Sequence, residues 1–418
     1  MKRNIYSVTV LTLGVVQLIE SLAFSIPMSY FPNYAIELGA SVASIGLFTS
    51  SFMLASAIMA PKMGSLSDVH GRKKIMIFGL IGDIVVGVLT GLTSSWYWLL
   101  LIRVINGIVS SAAMLSVEAL LIDTVSPYQR GEASGFVMAM GMIGRNIGPL
   151  FGGTIQALSY TQGLSLLDSY RVPYFVDSLL AGLAVLLVTW KIKEPNKKNP
   201  SMTMKEGKAL HRVGPVPMSF SFKVLLVSTF VTGISVGFIM PIMSLFYIDK
   251  FGIEPIEIGL ILSVSGFIGL LASWVAGRLS DLAGRKPFIA GGGLLSRLSG
   301  FILPLTGNVT QAAVVLSVRS LGFNIYMPAM RALRADLTPA EARGRFFGMF
   351  TTAFRAGDVI GPLIGTYLYD MYRFKNFELG GVSLPGYGIS FFVNSILGIV
   401  TTIMLLVLVK ESGQHKAS

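Results

Sequence analysis

The chain has 418 residues, a formal net charge of +12 and no cysteine, which excludes disulfides and thiol chemistry. Hydrophobic residues make up 53% of it, charged residues only 13%, and the mean hydropathy is +0.69. A soluble domain carries roughly 25% charged residues, so this composition belongs in a bilayer; with three scattered His and no nucleophile, metal cluster or cofactor loop, nothing points to an enzyme, a metal or a cofactor.

Charge-poor runs of membrane-spanning length occur at 5–28, 44–62, 75–93, 97–122, 133–157, 173–191, 223–248, 256–277, 287–306, 311–335, 346–369 and 387–409. The predicted fold is all-α, with twelve transmembrane helices in two six-helix bundles: 1–191, a cytoplasmic linker loop 192–222, and 223–418. The first run is not read as a signal peptide, because it is too long, contains Glu20 and lacks an A-x-A cleavage pattern. Of 33 Lys and Arg, 24 fall on the termini, on the loops after spans 2, 4, 6, 8 and 10, or on the span ends that adjoin those loops. Four (Arg171, Lys250, Arg373, Lys375) fall on the opposite loops and five (Arg103, Arg145, Arg297, Arg319, Arg355) inside spans. This bias puts both termini in the cytoplasm and leaves no basic face for nucleic acid. The middle loop is rich in Lys, Asn and Pro and reads as a flexible linker with a short surface helix around 203–211.

The chain repeats itself. Gly64, Asp68, Gly71 and Arg72 recur as Gly277, Asp281, Gly284 and Arg285, each 213 residues on. Gly135, Gly144, Gly148, Pro149 and Gly152 recur as Gly348, Gly357, Gly361, Pro362 and Gly365 at the same offset. Sparse residue types in step over this distance mark two homologous halves, an arrangement that secondary transporters use around a central path.

In chain order, span 1 carries Glu20 and ends Phe24-Ser25-Ile26-Pro27-Met28-Ser29-Tyr30-Phe31-Pro32. The Gly64–Lys73 segment is expected to be a tight cytoplasmic turn, with Gly71 at backbone angles closed to other residues and Asp68 paired with Arg72 or set against a helix N-terminus. Span 3 contains Asp83, and span 4 contains Arg103-Val104-Ile105-Asn106-Gly107 and Glu118. Span 5 has glycines at four-residue spacing, a face smooth enough for close helix packing, with Pro149 to bend it. It also carries Arg145 and Asn146. Asp177 stands near the outer end of span 6 and reads as interfacial. The second half contributes Asn324, Arg355 and Asp358, while Gly291-Gly292-Gly293 reads as helix packing and Asn308-Val309-Thr310 as a chance sequon. Charges in hydrocarbon are costly and mark functional sites or buried pairs.

These features resemble the major facilitator superfamily over nearly the whole chain. The Gly64–Lys73 segment is similar to its motif A, Arg103–Gly107 to motif B, and Gly135 to Gly153 to motif C, found in proton-coupled antiporters. The end of span 1 resembles the twelve-span drug:proton antiporters. The resemblance implies two bundles rocking around a central cavity, lined mainly by helices 1, 4, 5, 7, 8, 10 and 11. That ranks Asp83 and Arg297 as supporting residues. It implies proton-coupled export of a small molecule, with Glu20 as proton carrier, Glu118 as second choice, and Arg103 and Asp358 as coupling partners. Glu20, Asn106, Arg145, Asn146, Asn324 and Arg355 are the expected cavity residues. Gly64, Asp68, Gly71, Arg72, Asp281, Gly284 and Arg285 form the expected gate, with Asp123 as a third partner. Gly144, Gly148, Pro149 and Gly152 form the hinge. Arg145 departs from the usual motif C, and a base there disfavours a cationic substrate. The alternative readings are an uptake symporter or facilitator, and a non-transporting sensor or assembly factor on the same scaffold. The implied protein is an inner-membrane monomer that handles a substrate and protons.

Overall fold

A computed structural model describes residues 7–194, 218–338, 343–379 and 381–409. The expected helix around 203–211, most of the 192–222 linker and the side chain of Asp281 lie outside the described residues. Among the described residues, twelve helices have 18 residues or more: α1 (Val8–Ser25), α2 (Ile45–His70), α3 (Arg72–Leu92), α4 (Trp96–Thr124), α5 (Arg130–Thr161) and α6 (Leu166–Lys191), then α7 (Phe220–Ile239), α8 (Pro255–Ala283), α9 (Arg285–Ile302), α10 (Val309–Asp336), α11 (Arg343–Tyr372) and α12 (Ile389–Leu408). Six fall in each half, as the repeat requires. Side-chain oxygens of Ser7, Ser95, Ser165, Ser219 and Asn308 cap α1, α4, α6, α7 and α10 by accepting a free N–H of the first turn. The sequon residue Asn308 therefore has a structural task.

Among the described residues, ten of the helical segments are long and apolar enough to cross a membrane. The other two long helices, α5 and α11, are the glycine-rich pair, whose Gly, Arg and Asp content lowers their hydropathy. Large apolar side chains such as Leu92, Trp190, Leu271 and Val407 face outward, 66% to 76% exposed. Such a surface is stable only against lipid or a partner.

By packing, the chain forms two units: Met1–Pro195 with Pro241–Phe267, and Asn196–Met240 with Ile268–Ser418. In the first, α1 packs on α5, α4 on α2 and α3, and α3 on α6. Val10, Leu13, Met76, Leu80, Val117, Leu120, Val137 and Val188 make its apolar core. In the second, α7 packs on α11, α9 on α10, and α12 on α7 and α9. Phe222, Leu225, Ile289, Tyr326, Met330, Phe346 and Phe350 make its core.

The helices overrun the apolar segments. The second span was expected at 44–62, yet α2 continues for two more turns to His70. Hydropathy registers the part that crosses a bilayer, whereas backbone hydrogen bonding carries a helix on into polar sequence. The motif-A segment is accordingly mostly helix. Gly64, Asp68 and Arg72 are helical, and Gly71 alone separates α2 from α3. Its φ of +107° is available to glycine and strained for other residues, and Gly284, with φ +89°, repeats the device between α8 and α9. The segment after α11 was expected to be a loop. It forms a hairpin instead, β1 (Asn376–Leu379) antiparallel to β2 (Val382–Pro385).

Candidate functional site

A small cavity lies inside the first unit, among α1, α3, α4 and α6. Each helix lends one face. Glu20, Ala23, Phe24 and Pro27 come from α1 and the turn after it; Asp83, Val86, Gly87 and Thr90 from α3; Arg103, Asn106 and Ser110 from α4; Tyr174, Asp177 and Ala181 from α6. The spacings are i, i+3, i+4 and i+7, the stripe that one helix face presents. Three carboxyl groups and one guanidinium thus share a space within the bundle. Arg103 lies over the Phe31 ring, 4.1 Å from its centroid. One cation can balance one carboxylate, so the other two acids need protons or another cation.

Aromatic rings cluster around Tyr174 of the cavity wall, near the α1 C-terminus. Tyr30 stacks on Tyr170 at 5.7 Å and meets Tyr174 edge-on at 5.9 Å, and Tyr34 donates its hydroxyl to the Thr90 carbonyl. Beside them, Arg171 pairs with Asp168 at 2.8 Å and donates to the Thr93 carbonyl at 2.8 Å.

At the opposite end of α3, Arg72 joins two acids. It pairs with Asp68 one turn earlier and donates Nε to Asp123 Oδ2 at 3.1 Å. Asp123 thus takes the place expected of a third partner. The second half repeats the contact, with Arg285 Nε 3.3 Å from Asp336 Oδ2 and its Nη1 3.5 Å from Ser280 Oγ. Glu194 adds a contact that the repeat did not signal. Its carboxylate accepts the backbone N–H groups of Arg72 (2.6 Å) and Lys73 (3.0 Å), at the positive end of α3. Lys73 Nζ in turn donates to the Thr189 carbonyl, and Lys286 repeats this toward Leu406.

The glycine face of α5 lies directly on α1. A methyl group at Gly144, Gly148 or Gly152 would overlap the carbonyl of Leu18, Leu22 or Ile26. Gly357, Gly361 and Gly365 of α11 meet Phe230, Ile234 and Phe238 of α7 in the same way. Gly135 faces open space, so it takes no part in this packing. Pro149 sits within an unbroken α5 and hands its carbonyl to Ser29 Oγ at 3.1 Å.

Of the expected cavity and coupling residues, the structure brings Glu20, Arg103 and Asn106 together. Glu118 and Arg145 are exposed, and Asn146 lies against Gly266; none of the three lines the cavity. In the second unit, Asn324 donates to the Ser320 carbonyl at 2.9 Å, and Asp358 is buried against Gly237 of α7 with Oδ1 lacking a hydrogen-bond partner. Arg355 is half-buried one turn before it. Asp83 and Asp177 were ranked as support and interface, yet both line the cavity beside Glu20. The polar stripe Asp83–Thr90 on span 3 and the Tyr174–Asp177 pair on span 6 were the available signals.

Two tandem six-helix halves with the same turn, and a charged cavity enclosed by membrane-length helices, define a secondary transporter. The chain belongs to the Major Facilitator Superfamily, whose family model matches residues 13–222 and 225–418. It is 27% identical over 388 residues to Multidrug resistance protein MdtG of Salmonella choleraesuis (strain SC-B67), covering 90% of each chain. The same identity and coverage hold for MdtG of Salmonella typhi. Among solved structures, it is similar to a bacterial homologue of the human lysosomal transporter Spinster in an inward-facing, unoccupied conformation (TM-score 0.81, 16% identity, 98% of each chain). It is also similar to the inward-open xylose transporter XylE from E. coli (TM-score 0.73, 15% identity, 98% of each chain). These last two likenesses concern the fold.

Proposed function

We propose that this transporter exports a small molecule in exchange for protons, by alternating access between halves 1–191 and 223–418 joined by the 192–222 linker. The observation that carries the reading is the excess of carboxyl groups over cations lining the cavity where Glu20, Arg103 and Asn106 meet. Charge left over in a low-dielectric space favours taking up a proton, and losing it again when the site opens to water or substrate. The similarity to proteins named for multidrug resistance supports export.

In this reading Glu20 carries the proton, Arg103 holds the local charge, and Asp358 is a second protonatable position. The Asp68–Arg72–Asp123 cluster is the cytoplasmic gate, holding the outward-open state and breaking as the halves rock. The α1–α5 glycine contact is the tight seam on which the first half moves as a body. Both termini lie in the cytoplasm, and the protein works as a monomer in the inner membrane. A base at Arg145, exposed on α5 outside this cavity, favours an anionic, zwitterionic or neutral polar substrate over a cationic one.

The test is transport in inverted vesicles with an imposed proton gradient, screening cationic, anionic and neutral compounds. Accumulation that collapses with a protonophore supports exchange. Accumulation that requires the opposite gradient supports the uptake reading instead.

A further inference from the structure

We infer that Glu20 and Asp83 act as one proton-holding pair, a carboxyl–carboxylate site inside the first unit that Asp177 and the Tyr174 hydroxyl complete. The inference deepens the proposed coupling role of Glu20 and rests on it.

Glu20 projects from α1 and Asp83 from α3, and their side chains come within hydrogen-bonding reach across the cavity. Two ionised carboxylates carry no hydrogen to share, so the contact is attractive only when a proton lies between them. Asp83 Oδ2 is buried and receives no N–H or O–H from its surroundings. A shared proton would satisfy it.

A second observation points to the same ligand. The Tyr174 ring is 4% exposed and lines the cavity, yet its hydroxyl has no hydrogen-bond partner among the described residues. A buried hydroxyl left unpaired is costly. Asp177 stands one turn further along α6 and lines the same cavity. The remaining groups facing the pair are few. Arg103 comes from α4, and the Tyr30 and Tyr34 phenols pack against Tyr174; α5 meets α1 through Gly141, Gly144 and Gly148, which do not titrate.

The charge count then selects the working states. With one proton on the pair, the three acids and Arg103 leave a single negative charge; with two, the site is neutral. Cycling between these two states avoids burying two uncompensated charges. The pair also belongs to one half alone. Position 296, 213 residues after Asp83, is Ser, so the shared fold does not demand an acid there. A site needed for packing would be expected in both halves.

The experiment follows the protonated-carboxyl infrared band of the purified full-length protein through a pH titration, with no substrate present. Wild type, Glu20→Gln, Asp83→Asn and the double variant are compared. The pair predicts two steps in wild type and one step in either single variant, displaced by about one pH unit or more, with both steps lost in the double variant. Asp83→Glu, which keeps the acid, should retain two steps and serves if Asp83→Asn fails to fold. Two unshifted steps in Asp83→Asn, with Glu20→Gln still altering them, would overturn the pair while leaving Glu20 as the proton site. Unaltered steps in Glu20→Gln would overturn both. Loss of the wild-type band on adding sodium at fixed pH would make the site a metal-cation site and also overturn the pair.

Discussion

Glu194 accepts the backbone N–H of Arg72 at 2.6 Å, tying the segment after α6 to the first turn of α3 beside the Asp68–Arg72–Asp123 cluster. The second oxygen takes the N–H of Lys73, so one carboxylate satisfies two of the free donors that every helix start exposes. Gly71 allows this approach, since a Cβ there would fall 2.9 Å from the Glu194 carboxyl carbon.

Replacing Glu194 with Ala should loosen that first turn. Loss of a cap costs about 1 kcal/mol, or about fivefold faster hydrogen exchange at Arg72 and Lys73. Unchanged exchange at those amides would show that water serves as well as the carboxylate.

The glycine seam gives a contrast of sites. Gly148→Leu should overpack α5 against Leu22 and Ser25 and destabilise the protein by about 1–3 kcal/mol. Gly135→Ala, at a position with open space, should be neutral or gain up to about 1 kcal/mol from helix propensity. Thermal unfolding of the purified variants separates the two. Equal stability for both would contradict the packing argument.

Much of this arrangement was legible in the sequence, and the reason is the repeat. Residues in step at 213 gave the six-plus-six division, and positive φ at Gly71 and Gly284 follows from placing glycine where two helices must turn. Arg72 with Asp123, and Arg285 with Asp336, keep the same spacing because each pair bridges the same two helices. The cavity was less legible. Glu20, Asp83, Arg103 and Asp177 stand on helices whose adjacency is set by long-range packing, which periodicity within a helix does not encode. Asp83 thus lines the cavity from a helix that the resemblance assigns to support. The contact from Glu194 was hidden too, because its partners are backbone amides and carry no residue signature.

If the Asp68–Arg72–Asp123 cluster acts as the proposed gate, Asp68→Asn should weaken the contact to Arg72 while Asp123 still holds it. Spin-label distances across the cytoplasmic ends should shift toward the inward-open population. Asp68→Asn combined with Asp123→Asn should shift them further. Distances that stay at wild-type values in both would leave the cluster a purely local brace.

The orientation can be checked by introducing single cysteines, since the native chain has none. An impermeant thiol reagent added outside should reach a Cys at Ser165 and miss one at Asn199. Labelling at Asn199 from outside would reverse the assignment drawn from the basic residues.

The most direct test of the coupling claim is Glu20→Gln, which fixes that side chain in its neutral form. With a compound identified in the vesicle screen, the variant should still bind it and exchange it across the membrane at equal concentrations. Accumulation against a gradient, driven by protons, should be lost. Uphill transport that persists at the wild-type level in Glu20→Gln would contradict the account and move the coupling role to Glu118 or Asp358.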